Sequence, residues 1–175
     1  MIPVLVLLLF QDPYEALRAK DWDRAIVLLR QAGLRKDLAY ALLKTGDTEA
    51  ARDEFEQVMR QDPGDRQAAL EYAFLCYETK RRAEARRVFD RLRKLGDATA
   101  EQAFQNIDRP LAEGIARWRA VVAQSPDNLS ARRELARLAE ERDDLPLAAE
   151  NYLAAWRLRP DDRELLLDLG RVWQA

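Results

Sequence analysis

Similar phrases recur along this chain at a fixed interval, and no other feature narrows its fold so sharply. Ala51 and Ala85 stand 34 residues apart, as do Phe55 and Phe89, Gly114 and Ala148, Trp118 and Tyr152, and Pro126 and Pro160. Two steps are shorter: Phe89 to Trp118 spans 29 residues and Leu29 to Phe55 spans 26. Each phrase sets a small residue, an aromatic four positions on, and an apolar residue about three further, as in EAARDEFEQVMRQDP and LAAENYLAAWRLRP. A period in this range marks a stack of small supersecondary units rather than a globule built around one active site.

Inside a unit the apolar spacing is helical. Leu135, Leu138 and Ala139 make an i, i+3, i+4 stripe, and Ala148, Tyr152 and Ala155 make another. Between the stripes lies ERDDLP, in which Asp144 suits an N-cap and Pro146 a first helical turn. Arg159-Pro160-Asp161-Asp162 then stops one helix and offers capping residues to the next. Each unit therefore reads as two antiparallel helices joined by a tight turn. One such hairpin cannot bury both stripes alone, whereas stacked neighbours can. The second helix carries the recurring phrase: its small residue permits close approach, and its aromatic fills the gap to the next helix.

These residues resemble the tetratricopeptide repeat (TPR) pattern, which runs Trp/Leu, Leu, Gly/Ala, Tyr, then Ala, Phe/Tyr, Ala and Pro. Leu135, Ala136, Ala139, Ala148, Tyr152, Ala155 and Pro160 match it, as do Leu38, Ala39, Leu42, Ala51, Phe55, Val58 and Pro63. A third unit supplies Tyr72, Ala73, Cys76, Ala85, Phe89 and Leu92, and a sixth opens with Leu166, Leu169, Gly170 and Trp173. In the fourth, ATAEQAFQNID fits a helix but not the family spacing. The resemblance implies an all-α, right-handed α-solenoid of antiparallel helix hairpins. Its expected units are 12–33, 34–64, 65–96, 97–128 and 129–162, with a closing helix at 163–174 inside a repeat domain spanning 12–175. In that family, first-helix residues line a concave groove that receives an extended peptide or a partner helix. Carried onto this sequence, the lining comprises Lys36, Tyr40, Leu43, Leu70, Phe74, Tyr77, Arg133 and Arg137. Aromatics beside two arginines suit a motif with an apolar anchor and an acid; alternatively the aromatics shield the core between hairpins. Asparagine occurs only at 106, 128 and 151, none at the clamp position of chaperone-binding members, so chaperone C-termini are not expected ligands.

Chemistry has little to work with. There is no histidine, which removes the commonest general base and zinc ligand. Cys76 is the sole cysteine, and its position suits a buried packing thiol. Ser125 and Ser130 lack the base that activates a serine nucleophile, and no phosphate-cradling glycine loop occurs. The acidic run Glu140, Glu141, Asp143 and Asp144 lacks the spaced ligands of a calcium loop and reads as a solvated turn. The expectation is a non-enzymatic scaffold for a protein or peptide partner, with no cofactor and no metal. Twenty-nine basic against 31 acidic side chains give a net charge of −2 and a pI near 5.4. Nucleic-acid-binding domains usually exceed about 9, so nucleic acid is disfavoured. One stretch departs from this balance: KRRAEARRVFDRLRK, residues 80–94, sets eight basic side chains against Glu84 and Asp90. It reads either as the wet face of a helix whose inner face is Ala85, Val88, Phe89 and Leu92, or as a surface for an acidic protein or anionic lipid headgroups.

The two ends carry further expectations. MIPVLVLLLF forms the core of an apolar segment, residues 1–11, far short of the about 20 residues a spanning helix needs. It reads as a signal remnant, as an extra helix packed on the first hairpin, or as a contact for lipid or a membrane protein. An accessory subunit of a complex, attached to a membrane through residues 1–10, is thus the alternative function, and an exported or membrane-associated place is favoured over a cytoplasmic one. Toward residue 174, Leu165, Leu166, Leu167, Leu169, Val172 and Trp173 wrap more than one helix face. Leu167 and Trp173 are the candidates there for a C-terminal contact, self-association included.

Overall fold

A computed structural model describes residues 12–174, so the expectations for segment 1–11 lie outside the described residues. The described residues form ten helices and no strand. The chain divides into two units, the first ending at Ala100 and the second beginning at Glu101.

In the first unit α1 (Pro13–Arg18), α2 (Trp22–Ala32), α3 (Arg35–Thr45), α4 (Thr48–Gln61), α5 (Arg66–Glu78) and α6 (Arg82–Lys94) pack successively, each on the next. The cause is the pair of small-residue rows. Ala39 and Ala73 on first helices, and Ala25, Ala51 and Ala85 on second helices, are wholly buried. With no side chain beyond Cβ at these points the helices approach closely, and Phe55 and Phe89 then fill the space between hairpins. Burying each ring removes it from water at a gain of about 2 kcal/mol or more. Arg52 is the buried cation of this unit; its guanidinium donates to Thr79 Oγ1 at 2.9 Å and to Asp53.

The second unit contains most of α7 (Ala98–Gln124), then α8 (Leu129–Glu141), α9 (Leu145–Leu158) and α10 (Arg163–Gln174). α9 packs on both α8 and α10. Ala136, Ala139, Ala148, Tyr152, Ala155, Leu165 and Leu169 make one buried cluster, and Ile115 of α7 joins Leu135 and Leu138 in another.

Aspartate or asparagine caps recur at helix starts. Asp21, Asp47, Asp65, Asn128 and Asp144 each accept a hydrogen bond from a backbone N–H three residues on. Each cap contributes about 1 kcal/mol. The turn inside a hairpin also repeats. Lys20, Gly46, Lys80 and Asp143 take positive φ values of 58°, 82°, 65° and 63°. The next residue then donates its N–H five positions back: Asp21 to Ala16, Asp47 to Leu42, Arg81 to Cys76 and Asp144 to Ala139, at 2.7–3.0 Å. This is the bond that closes a helix C-terminus around a left-handed residue. Gly46 adopts that conformation without the Cβ penalty the other three residues carry.

One expected hairpin is absent. Over 97–128 the repeat arithmetic expects two helices and a turn, but α7 runs unbroken for 27 residues with Pro110 inside it. Thirty-four residues before Asp144 stands Pro110. It has no N–H, so the closing bond made by Asp21, Asp47, Arg81 and Asp144 cannot form there. The same missing donor removes the helical bond to Asn106, yet the helix runs on through Pro110 and the fourth repeat folds as one long helix. Asp108, next to the missing turn, is tied to the α8–α9 turn by two bonds from Arg142, both 3.1 Å.

Candidate functional site

Six of the eight expected groove residues stand on α3 and α5, the first helices of successive hairpins. Side chains bridge these helices directly. Lys36 Nζ donates to Asp65 Oδ2 at 2.6 Å, Tyr40 OH to Glu71 Oε1 at 3.3 Å, and Gln67 Nε2 to Tyr40 OH at 3.1 Å. The Lys36 hydrogen bond holds the Asp65 carboxyl below its ordinary value, assisted by the amide of Ala68 that Asp65 caps. Burial first, then the negative charge of Glu71, pushes the Tyr40 hydroxyl up. Lys36 and Tyr40 therefore fix the spacing of α3 and α5, with Gln67 and Glu71 as partners that repeat spacing alone does not reveal.

The apolar part of this face lies beside that polar tie. Tyr40 meets Phe55 edge-on at 5.1 Å, and thirty-four residues later Phe74 meets Phe89 edge-on at 5.0 Å. Leu43 and Leu70 are half-buried. Phe74 remains 38% exposed and Tyr77, one turn further, 46%. The guanidinium carbon of Arg82 sits 5.7 Å from the centre of the Tyr77 ring, within cation–π range. Phe74 is thus both a core edge and a surface, and Tyr77 is the more exposed of the two, with nearly half of it open to solvent.

Arg133 and Arg137 stand on α8, in the second unit, and both are engaged by carboxylates. Arg133 reaches Asp162 at 3.3 Å and Glu164 at 3.0 Å; Arg137 is gripped by Glu134 at 2.6 and 3.0 Å and by Glu141 at 2.8 Å. Lys36 and Arg133 play one role in the two units: each reaches the aspartate 29 residues on that caps the following first helix. The acidic run is bonded more fully than a solvated turn requires. Glu140 accepts from Arg171 at 2.6 and 2.9 Å and from the Tyr152 hydroxyl at 3.2 Å, which lowers its pKa chiefly through Arg171. Asp144 caps α9.

On α10, Leu165, Leu169 and Val172 are buried, whereas Leu167 and Trp173 are 72% and 66% exposed. Leu166, which the sequence places in the family stripe, joins them on the surface. Cys76 is fully buried, and burial first raises its thiol to about 11. Among the described residues no cluster of three or more histidine, cysteine, aspartate or glutamate side chains is placed to hold a metal ion. No described helix is long and apolar enough to cross a membrane.

Comparison with known proteins bears on the fold. A crystal structure of MamA protein is similar, with a TM-score of 0.50 at 14% identity, covering 87% of this chain and 90% of that one. YrrB, described as a TPR protein with an unusual peptide-binding site, aligns with a TM-score of 0.48 at 16% identity over 88% of this chain and 86% of its own. A search of curated proteins finds no match. Two tetratricopeptide repeat profiles match residues 42–104 and 109–163, well over half the sequence. The chain belongs to the tetratricopeptide repeat superfamily.

Proposed function

We propose that this protein is a non-catalytic interaction module that holds a peptide or partner protein on the α3–α5 face of its first unit, as part of a larger assembly. The observation that carries the reading is the pair Phe74 and Tyr77, exposed one turn apart on a helix whose opposite side is fully buried. Family membership supports the general class, since TPR units serve as protein-interaction scaffolds. Lys36, Tyr40, Leu43 and Leu70 complete the face. The Lys36–Asp65 and Tyr40–Glu71 bonds keep α3 and α5 in register, so a guest meets a preformed surface and the ordering cost of binding falls. On α8, Arg133 and Arg137 are already matched by carboxylates, which makes the aromatics rather than these arginines the principal anchors.

Buried aromatic anchors at interfaces typically contribute about 2 kcal/mol each, roughly 30-fold in affinity. Tyr77→Ala should therefore remove captured proteins from an affinity pull-down read by mass spectrometry. Phe74→Leu, which keeps an apolar contact to Phe89, should weaken capture less. Both variants should retain the circular dichroism of the parent. Unchanged capture by the folded Tyr77→Ala protein would move the partner off this face.

A further inference from the structure

We propose that α10 is a docking surface for an amphipathic helix of a partner protein, laid antiparallel along the stripe Leu166, Gly170 and Trp173. Gly170 and Trp173 have counterparts on three other first helices: Ala39 and Leu42 on α3, Ala73 and Cys76 on α5, and Ala136 and Ala139 on α8. All six are buried, and each of these helices packs against the second helix of its own hairpin. In the second unit Ala136 and Ala139 share one buried cluster with Ala148, Tyr152 and Ala155 of α9. On α10 the stripe is open. Leu166 and Trp173 are 53% and 66% exposed, and a Cβ added to Gly170 would meet nothing within 4 Å. The neighbouring stripe of Leu165, Leu169 and Val172 is already taken up by the core that α10 shares with α9.

The closed stripes state what fits the open one. The second helices α4, α6 and α9 run 14, 13 and 14 residues, and each sets an alanine fourth: Ala51, Ala85 and Ala148, all fully buried. The partner helix is therefore about four turns long, with a small residue in its first turn to meet Gly170. Position 166 sets the next requirement. Its counterparts Arg35 and Arg132 reach polar side chains 19 residues on, Glu54 at 2.7 Å and Asn151 at 3.3 Å. Leu166 has no donor, so a carboxylate or amide opposite it would lose water without gaining a hydrogen bond, and the partner sets an apolar residue there. Arg163 fixes the direction. It stands at the place of Arg66 on α5, whose guanidinium donates at 3.4 Å to the carbonyl of Leu95, the C-cap of α6. A cation at that place favours the negative C-terminal end of a covering helix, which an antiparallel guest presents.

These requirements choose the occupant. Segment 1–10, MIPVLVLLLF, has neither glycine nor alanine to set against Gly170. A second copy of α10 carries its small residue eighth of 12 rather than fourth, so bringing two glycines together departs from the register of the hairpins. A partner's helix with alanine or glycine in its first turn, an apolar residue facing Leu166 and its C-terminus at Arg163 meets all three. Trp173 then serves as the anchor, since tryptophan at the centre of an interface carries a large share of binding energy.

The test uses the full chain and a fluorescein-labelled, lactam-bridged peptide of residues 144–159 carrying Asn151→Leu, read by anisotropy. That peptide should bind saturably, and the version that keeps Asn151 should bind more weakly. Gly170→Leu fills the seat of the small residue and should weaken binding by about tenfold or more, with the circular dichroism of the parent retained. Gly170→Ala should weaken it far less. Leu166→Glu should cost a similar factor to Gly170→Leu, and Arg163→Glu a smaller one. Val27→Glu makes the same kind of change at an exposed position of α2 and should bind as the parent does. The proposal is overturned if the peptide does not bind, if Gly170→Leu leaves binding unchanged, or if Val27→Glu weakens it as much as Leu166→Glu. A parent chain that sediments as a dimer, and as a monomer once Leu166→Glu is introduced, would give the face to a second copy. Peptide binding that appears only after removal of residues 1–11 would give it to that segment. Either result would also overturn the proposal.

Discussion

The turn at Lys80 and the stretch around Pro110 occupy the same place in the repeat and do opposite things. At Lys80 the chain reverses: Lys80 takes φ 65°, and Arg81 donates its N–H to Cys76 O at 2.7 Å. Around Pro110 the helix continues, and α7 reaches 27 residues. The aromatics that follow differ as well, since Phe89 is 1% exposed whereas Trp118 is only partly buried. Where the repeat keeps its turn the next aromatic is fully enclosed, and where the helix runs on the next aromatic is only partly buried.

The largest effect should come from the aromatics. Phe89→Ala should cost about 3–5 kcal/mol in urea unfolding, the usual toll of emptying a fully enclosed ring site. Trp118→Ala should cost clearly less despite removing a larger side chain, because its site is partly open to water. Equal costs would erase the distinction between the two repeats. Next in size is a change of shape. Arg109→Gly/Pro110→Asp supplies a left-handed residue, a donor and a cap at the missing turn. Spin labels at Gln102 and Ala120 should stand about 27 Å apart along the parent helix. If Pro110 is what keeps α7 whole, the double variant should give a population far shorter than that. A distance unchanged by the substitutions would show that Pro110 is not what keeps α7 whole.

The smallest effect concerns the tie between first helices. Asp65 has its pKa depressed below the ordinary 3.8, first by the Lys36 hydrogen bond. A depressed carboxylate contributes stability that is complete above the unfolded pKa and disappears as pH falls through the folded one. Lys36→Met should therefore lower stability at pH 7 by about 0.5–1 kcal/mol, the usual range for a partly exposed pair. The gap between variant and parent should close as the pH drops below about 3.8. A gap that persists in acid would assign the loss to packing of the lysine stem.

Much of this architecture was legible beforehand because its causes are local. The spacing of Ala51, Phe55, Ala85 and Phe89 dictates which helix faces are apolar, and those side chains are buried. Asp144 caps and Pro146 opens its helix, as their types require. The fourth repeat was not legible by the same logic, since a proline at a helix start and a proline that forbids a turn look alike in sequence. Pro146 is the first kind and Pro110 the second, and only the hydrogen bond expected at each position separates them. The candidate site was legible in part. Position in the repeat marks Phe74 and Tyr77 as surface aromatics of α5. It does not show that Arg133 and Arg137 are matched by Asp162, Glu164, Glu134 and Glu141, because those pairings depend on side-chain reach between and along helices.

The single sulfhydryl gives the first unit a reporter of its own. Cys76 is fully enclosed on α5 and its thiol is held at about 11, so an alkylating reagent meets neither an accessible nor an ionised sulfur while the helices stay together. Reaction then waits for transient opening, and its rate counts how often that happens. Since the second unit has no cysteine, such a clock ticks for one half of the molecule and is silent for the other.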